Sequence, residues 1–285
     1  MKSVIAKTQE HVAENAASSV AIPAALATDS WHHLRRYTAA RIALGRTGGS
    51  QRTESVLDFR LSHARARDAV HSRFDADALE QALRTRGLLT FRLDTATTDR
   101  RTYLLRPDLG RRLDHASRQR LLAHTTTWGH RDLAIIISDG LAAQAAEHHA
   151  TDTLVTLVES LHANGWSFFP IFVIPFARVK LQDEIGELLG ARHTLMLLGE
   201  RPGLGSPDSL GAYFTFNPHA GRTDADRNCI SNIRPEGLPP VAAADKLARL
   251  LSESARLGLS GVALKDSDQP ALNTSATETE LMHWS

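Results

Sequence analysis

The stretch His193-Thr194-Leu195-Met196-Leu197-Leu198-Gly199-Glu200-Arg201-Pro202-Gly203-Leu204-Gly205 runs from a short apolar segment into an acidic residue, an arginine and a glycine-punctuated loop. An apolar run of that length reads as a buried strand, and its polar sequel as a loop delivered to the edge of a sheet. In open α/β folds ligands sit outside the carboxyl ends of the strands, so what Glu200 faces decides much of the function.

Working outward, the same texture recurs. Leu133-Ala134-Ile135-Ile136-Ile137 ends in Ser138-Asp139-Gly140, the pattern of a parallel strand buried on both faces. Leu154, Leu157, Val158 and Leu161 mark a helix stopped by Asn164-Gly165, and residues 168–174 make a second apolar strand. Leu181, Ile185, Leu188 and Leu189 form one face of the next helix. Residues 212–216 read as a fourth strand, and Leu247, Leu250, Leu251 and Leu257 mark a closing helix. Repeated strand–helix–strand units with short joins imply right-handed crossovers. The expected fold class is therefore α/β, with a Rossmann-like, mostly parallel sheet in the C-terminal domain and a smaller helical part before it.

The N-terminal side is less regular. Residues 1–28 carry no aromatic side chain and read as a mobile leader. Asp29 or Ser30 is placed to cap a helix to Gly45, with Trp31, Leu34, Thr38 and Ile42 on one side. Residues 46–53 read as a loop with arginines at both ends, followed by helices over residues 53–74 and 75–85. Residues 88–93 and 102–105 look like short strands, and Pro107 suits a first helical turn. The expected organisation is a leader (1–28), a helical part (29–90), a connecting region (91–130), the Rossmann-like domain (131–265) and a loose polar tail (266–285).

The bulk numbers narrow the function. The 285 residues are 42% hydrophobic and 23% charged, ample for a core. A net charge of +1 argues against general attraction to nucleic acid or anionic membrane. One cysteine, Cys229, excludes an internal disulfide and fits a reducing compartment. No apolar run approaches the roughly 20 residues of a membrane span, so the expected setting is the cytoplasm.

Three loops leave one edge of the inferred sheet: Ser138-Asp139-Gly140, residues 175–180 and residues 199–205. A fourth polar segment, Asp226-Arg227-Asn228-Cys229-Ile230-Ser231-Asn232-Ile233, lies beyond the last strand. Parallel strands set such loops side by side, which makes one shared crevice, with Asp139, Arg178, Lys180, Glu200 and Arg201 as its directed polar groups. Each loop alone is better explained by turns and internal ion pairs; all of them on one edge read as a binding site. A dinucleotide fingerprint is missing after the first strand, and no phosphate-cradling glycine loop occurs. The 14 histidines include the adjacent pairs His32-His33 and His148-His149, which read as surface residues rather than metal ligands. Cys229 reads as a small buried hydrophobe rather than a nucleophile. No self-sufficient catalytic set is present, so the chain reads as a ligand-binding half of something larger. A self-contained nucleotide-dependent oxidoreductase, and a nucleic-acid module built on the arginine-rich helices, stand as alternatives.

Residues 105–113 (Leu-Arg-Pro-Asp-Leu-Gly-Arg-Arg-Leu), 136–141 (Ile-Ile-Ser-Asp-Gly-Leu), 177–180 (Ala-Arg-Val-Lys), 199–205 and 226–233 together resemble the small (light) subunit of ethanolamine ammonia-lyase. The similarity runs from about residue 31 to residue 257. It implies a radical, adenosylcobalamin-dependent conversion of ethanolamine to acetaldehyde and ammonia, active only with a large catalytic subunit. The cofactor is expected between the two chains, and the family's cobalamin contacts carry over to Val179, Glu200 and Cys229. Catalytic residues are expected on the large subunit. Trp31, Tyr37 and residues 46–52 are expected to meet that subunit. No Asp is followed two residues later by His, which fits a family that keeps the cofactor's own base on cobalt. Family members from organisms with ethanolamine microcompartments carry an N-terminal targeting tail, from which this leader differs; a microcompartment is the second expected location.

Overall fold

Leu133–Ser138 has no polar side chain before its last residue, and such a strand is stable only if both of its faces are covered. The computed structural model shows how that cover is built. It describes residues 29–266 apart from 39 and 48, so the expected leader and all but the first residue of the expected tail lie outside the described residues. The chain divides into two compact units between Ala64 and Arg65.

The first unit holds a 3-10 helix at His32–Tyr37 and a small hairpin of β1 (Arg46–Thr47) and β2 (Ser50–Gln51). In place of the helix expected to run to Gly45 there is thus only this six-residue 3-10 helix of about two turns. It buries none of its residues, so no apolar stripe holds a longer helix together. Helix α1 (Thr53–His71) follows.

The second unit continues with α2 (Ala76–Thr85), β3 (Thr90–Arg92), α3 (Arg100–Leu105) and α4 (His115–Trp128). Then come β4 (Leu133–Ser138), α5 (Ala143–Ala163), β5 (Ile171–Val173), α6 (Leu181–Leu189) and β6 (His193–Gly199). The chain closes with β7 (Leu210–Phe216), β8 (Arg227–Ile233) and α7 (Pro240–Leu257). The sheet order is β3-β5-β4-β6-β7-β8. Strands β3, β5, β4 and β6 are mutually parallel, while β7 is antiparallel to both β6 and β8. Side chains alternate across β4: Leu133, Ile135 and Ile137 enter one core with α5 and α7, Ala134 and Ile136 another with α4 and α6.

Two expectations need correction, and the direction of the fourth strand accounts for the sheet being only mostly parallel. Residues 102–105 are not a strand but the end of α3, because the Asp99 carboxylate accepts from Thr102 N (2.9 Å) and caps a helical turn. The fourth strand is not parallel, because residues 200–209 contain no crossover helix and so return the chain directly alongside β6. Residues 227–233 are not a loop but the edge strand β8, whose Ile230 and Ile233 enter the core while Cys229, Ser231 and Asn232 stay exposed.

His193 opens β6 fully buried, packed between the rings of Trp166 and Phe216. Its Nε2 lies 3.1 Å from Ser254 Oγ. Burial, reinforced by the charge of Arg192, pulls its pKa from 6.5 down to about 4. The unfolded chain therefore takes up this proton at a higher pH than the folded one does. The associated stability is complete above pH 6.5 and is lost on acidification toward pH 4. It amounts to about 3 kcal/mol over the whole window. We expect urea unfolding to show this loss between pH 7 and pH 4, and His193→Leu to flatten it; an unchanged slope in the variant would contradict the assignment.

Candidate functional site

The carboxyl ends of β4 and β6 flank the point where successive crossovers leave in opposite directions, the usual ligand crevice of such a sheet. Here that crevice is filled by the chain itself. Leu141 N donates to Gly199 O at 2.8 Å, and a Cβ on Gly140 would lie 2.1 Å from that same oxygen. Asp139, only 1% exposed, is turned inward. Its Oδ1 accepts from Phe176 N (2.6 Å) and Ser138 Oγ (3.0 Å), and its Oδ2 from Arg100 (3.0 Å). Arg100 also donates to the carbonyls of Gly140 (2.7 Å), Leu141 (3.0 Å) and Val70 (2.9 Å). Burial raises the Asp139 carboxyl pKa against the pull of Arg100 and of the Phe176 N–H. The expectation that Asp139 faces a ligand is thus corrected: it locks three loops together. The same packing leaves no space for a dinucleotide pyrophosphate at this point.

One open cleft lies beside the start of α6, on the face of β7 and β8 that this helix meets only at Arg227, through Asp183. It encloses about 570 Å³ and is lined by Pro107, Arg111, Val179, Tyr213, Asp224 and Cys229, among others. Tyr213 and Cys229 are register partners on β7 and β8, which sets them side by side on one face. Gly110 lets the segment after Pro107 close on the cleft, since a Cβ there would meet Phe176 O at 2.7 Å; Arg178 N donates to Gly110 O at 2.8 Å.

The charged groups around this cleft are mostly committed. Arg178 stacks over Tyr103 at 3.9 Å and donates to Tyr103 O at 2.8 Å. Its Nε is buried and has no partner among the described residues. Lys180 Nζ donates to Ala220 O (3.1 Å) and Arg222 O (2.7 Å), tying the far wall to the start of α6. Arg227 is buried and makes a bidentate bond to Asp183 at 2.6 and 2.8 Å. Burial opposes the Arg227 charge, but the bond to Asp183 outweighs it and raises the pKa further. Arg201 is exposed.

Val179 and Cys229 therefore share one cleft. Glu200 sits at the top of β6, where its Oε2 accepts from Ser209 Oγ and from Asn232 N (3.2 Å). Partial shielding from water by the cleft wall first, and the Glu200 charge in addition, raise the Cys229 thiol, which is therefore no ready nucleophile. The same two effects, with Cys229 itself, raise the Tyr213 hydroxyl. Two other expectations fail. Cys229 is exposed on the cleft wall rather than buried, because no helix packs over it on that face of β8. His149 is buried, not a surface residue, and lies 3.4 Å from Asp208. Among the described residues no group of three or more acidic, His or Cys side chains is placed to hold a metal ion. Tyr213, Arg227 and Asp224 were not singled out as cleft residues in the sequence. The period-2 pattern of residues 227–231 was the available signal, since it puts Arg227, Cys229 and Ser231 on one face.

A family model for the ethanolamine ammonia-lyase light chain matches residues 28–265. The chain is 56% identical over 242 residues to an ethanolamine ammonia-lyase small subunit of Azotobacter vinelandii, covering 85% of this chain and 90% of that one. It is 52% identical over 260 residues to the small subunit of Pseudomonas aeruginosa (90% and 95% covered). With the small subunit of Ralstonia nicotianae the figures are 50% over 251 residues (88% and 93% covered).

The Arg227–Asp183 pair under the cleft has a measurable signature. Asp183→Leu alone strands a buried guanidinium and should cost about 3–5 kcal/mol of unfolding free energy. The double variant Asp183→Leu with Arg227→Met should return close to the parent in urea denaturation; a double variant as unstable as the single would contradict the pairing.

Proposed function

This chain belongs to the ethanolamine ammonia-lyase light-chain family, and on that premise we propose that it binds adenosylcobalamin against the open β7–β8 face, beneath a large catalytic subunit. The complex converts ethanolamine to acetaldehyde and ammonia. Its small subunit supplies cofactor contacts and cover, and the reacting groups come from the large one. The observation that carries the reading is the convergence of Val179 and Cys229 on one open-sided cleft, with Glu200 bonded to the same edge strand.

The residues present fit a corrinoid, which has apolar faces and a rim of amides. Val179, Pro107 and Tyr213 offer apolar surface at the cleft. The Glu200 carboxylate accepts from amide N–H groups, and the unmatched Arg178 Nε offers a buried donor. When bound, adenosylcobalamin supplies the radical that begins the reaction. Val179 and Cys229 set how closely the macrocycle approaches. The open side of the cleft leaves the other side of the group for the large subunit, and the exposed Trp31 and Tyr37 suit contact with that chain.

The Rossmann-like character of residues 131–265 is supported by the contiguous parallel strands with helices on both faces. No helix among the described residues is long and apolar enough to cross a membrane. The cytoplasm is the proposed setting, with a microcompartment as the alternative that the family's tailed members suggest.

The test is reconstitution. The chain alone should show no turnover of ethanolamine, and co-expression with a large chain plus adenosylcobalamin should restore it; turnover by the single chain would overturn the reading. Filling the cleft with Val179→Trp or Cys229→Trp should raise the cofactor concentration for half-maximal activity about tenfold or more, a loss of at least about 1.4 kcal/mol of binding. Cofactor dependence identical to the parent in both variants would remove these residues from the site.

A further inference from the structure

We infer that Ser209, Gly211 and Asn232 are positioning residues that hold the Glu200 carboxylate by one oxygen and turn the other toward the cofactor cleft. The inference rests on the cobalamin reading given above. Both hydrogen bonds to this carboxylate, from Ser209 Oγ and Asn232 N, fall on Oε2. Glu200 N donates in turn to Ser209 O at 2.9 Å, so the two ends of the 200–209 loop are closed on each other. Oε1 accepts no hydrogen bond among the described residues.

The neighbouring backbone is shaped around that arrangement. The β7–β8 register shifts between Leu210 and Ala212, which pair with Ile233 and Ile230. Ser231 and Asn232 therefore face Gly211 alone, a bulge on β8. Asn232 takes a left-handed φ of 59°, a conformation that Asn tolerates better than most residues. The bulge directs the Asn232 N–H to Glu200 instead of to β7. Asn232 O is fixed from behind: Leu238 N donates to it at 2.8 Å, and a Cβ on Gly237 would lie 2.3 Å from it.

Gly211 supplies the space. A Cβ there would stand 2.9 Å from Glu200 Oε1, 3.0 Å from Glu200 Cγ and 2.9 Å from Tyr213 Cε2. The free carboxylate oxygen and the ring of a cleft-lining residue thus meet over the one position that lacks a side chain. Any larger residue at 211 must push the Glu200 side chain away from Tyr213 or the ring into the cleft. A carboxylate held by Oε2 alone keeps Oε1 available to an amide N–H on the rim of the macrocycle. That orientation is fixed before binding, so the ordering cost is not met when the cofactor arrives.

The experiment uses the holoenzyme assembled with a large subunit, titrated with adenosylcobalamin and followed by visible absorption. Glu200→Ala, Ser209→Ala and Gly211→Ala should each weaken binding about tenfold. Adding Ser209→Ala or Gly211→Ala to Glu200→Ala should bring no further loss, because both act through the same carboxylate. Amide exchange of the free full-length chain gives a readout without cofactor: the Asn232 N–H should exchange about tenfold faster in Glu200→Ala. Losses that add in the double variants, or an Asn232 amide indifferent to Glu200→Ala, overturn the inference. Weakened binding in Glu200→Ala with parental binding in both other variants overturns it alone and leaves the cofactor site standing. Parental binding in Glu200→Ala removes Glu200 from the site and takes the inference with it.

Discussion

Burial of β4 on both faces is the constraint that the second unit depends on. All six of its residues are buried, and it pairs along its whole length with β6, from Leu133 opposite His193 to Ser138 opposite Leu198. Each fully buried aliphatic side chain is worth about 2 kcal/mol, but only if apolar cover stands on its own side. That requirement places α5 and α7 against Ile135 and Ile137, and α4 and α6 against Ala134 and Ile136. The two covers are supplied by crossovers that leave in opposite directions, so the loops after β4 and β6 must come together at one rim. There the chain uses Gly140, Gly199, Asp139 and Arg100 to close the gap with its own backbone and one buried ion pair.

Closing that rim moves the chemistry sideways. With the gap between Gly140 and Gly199 closed, one cleft is bordered by β7, β8 and the start of α6, and another of about 810 Å³ lies against Arg100, Asp139, Pro175 and Phe176. Helix α6 covers the central strands and reaches β8 only at Arg227, which leaves Cys229 and Ser231 exposed beside the half-buried Tyr213 and Val179. An uncovered sheet face bordered by Arg227 bonded to Asp183 below and Lys180 tied to residues 220 and 222 at the side is rigid and open on one side. Such a surface suits a large flat cofactor shared with another chain better than it suits a small substrate enclosed by one.

Much of this could be read from residues alone where burial is symmetrical. The runs 133–137 and 195–198 are apolar throughout and followed closely by Asp, Gly or Glu, so strand, depth and loop direction follow from pattern. The position of α2 and the Asn164-Gly165 stop of α5 were equally legible, and in the structure an Asp75 cap and a positive φ at Gly165 decide them. The edge strand was not. In residues 227–233 only Ile230 and Ile233 are apolar enough to signal a core face, and a bulge at Asn232 breaks the alternation. Residues 102–105 misled for the opposite reason: Thr and Tyr favour strands, and a cap from Asp99, outside the segment, makes them helical. Of the site, Val179, Glu200 and Cys229 came from family resemblance. Tyr213 and the Arg227–Asp183 pair needed coordinates, because they depend on which strands are neighbours rather than on spacing along the chain. Asp139 misled because a charged residue after a strand faces a ligand or an arginine with equal ease, and only the position of Arg100 separates the two.

The central claim is that the open β7–β8 face, and not the closed rim over β4, receives the cofactor. Hydrogen exchange of the assembled enzyme, with and without adenosylcobalamin, measures this directly. The account predicts added protection in residues 176–180 and 227–232 and none in residues 138–141. Protection concentrated in residues 138–141, with 227–232 unchanged, would contradict it.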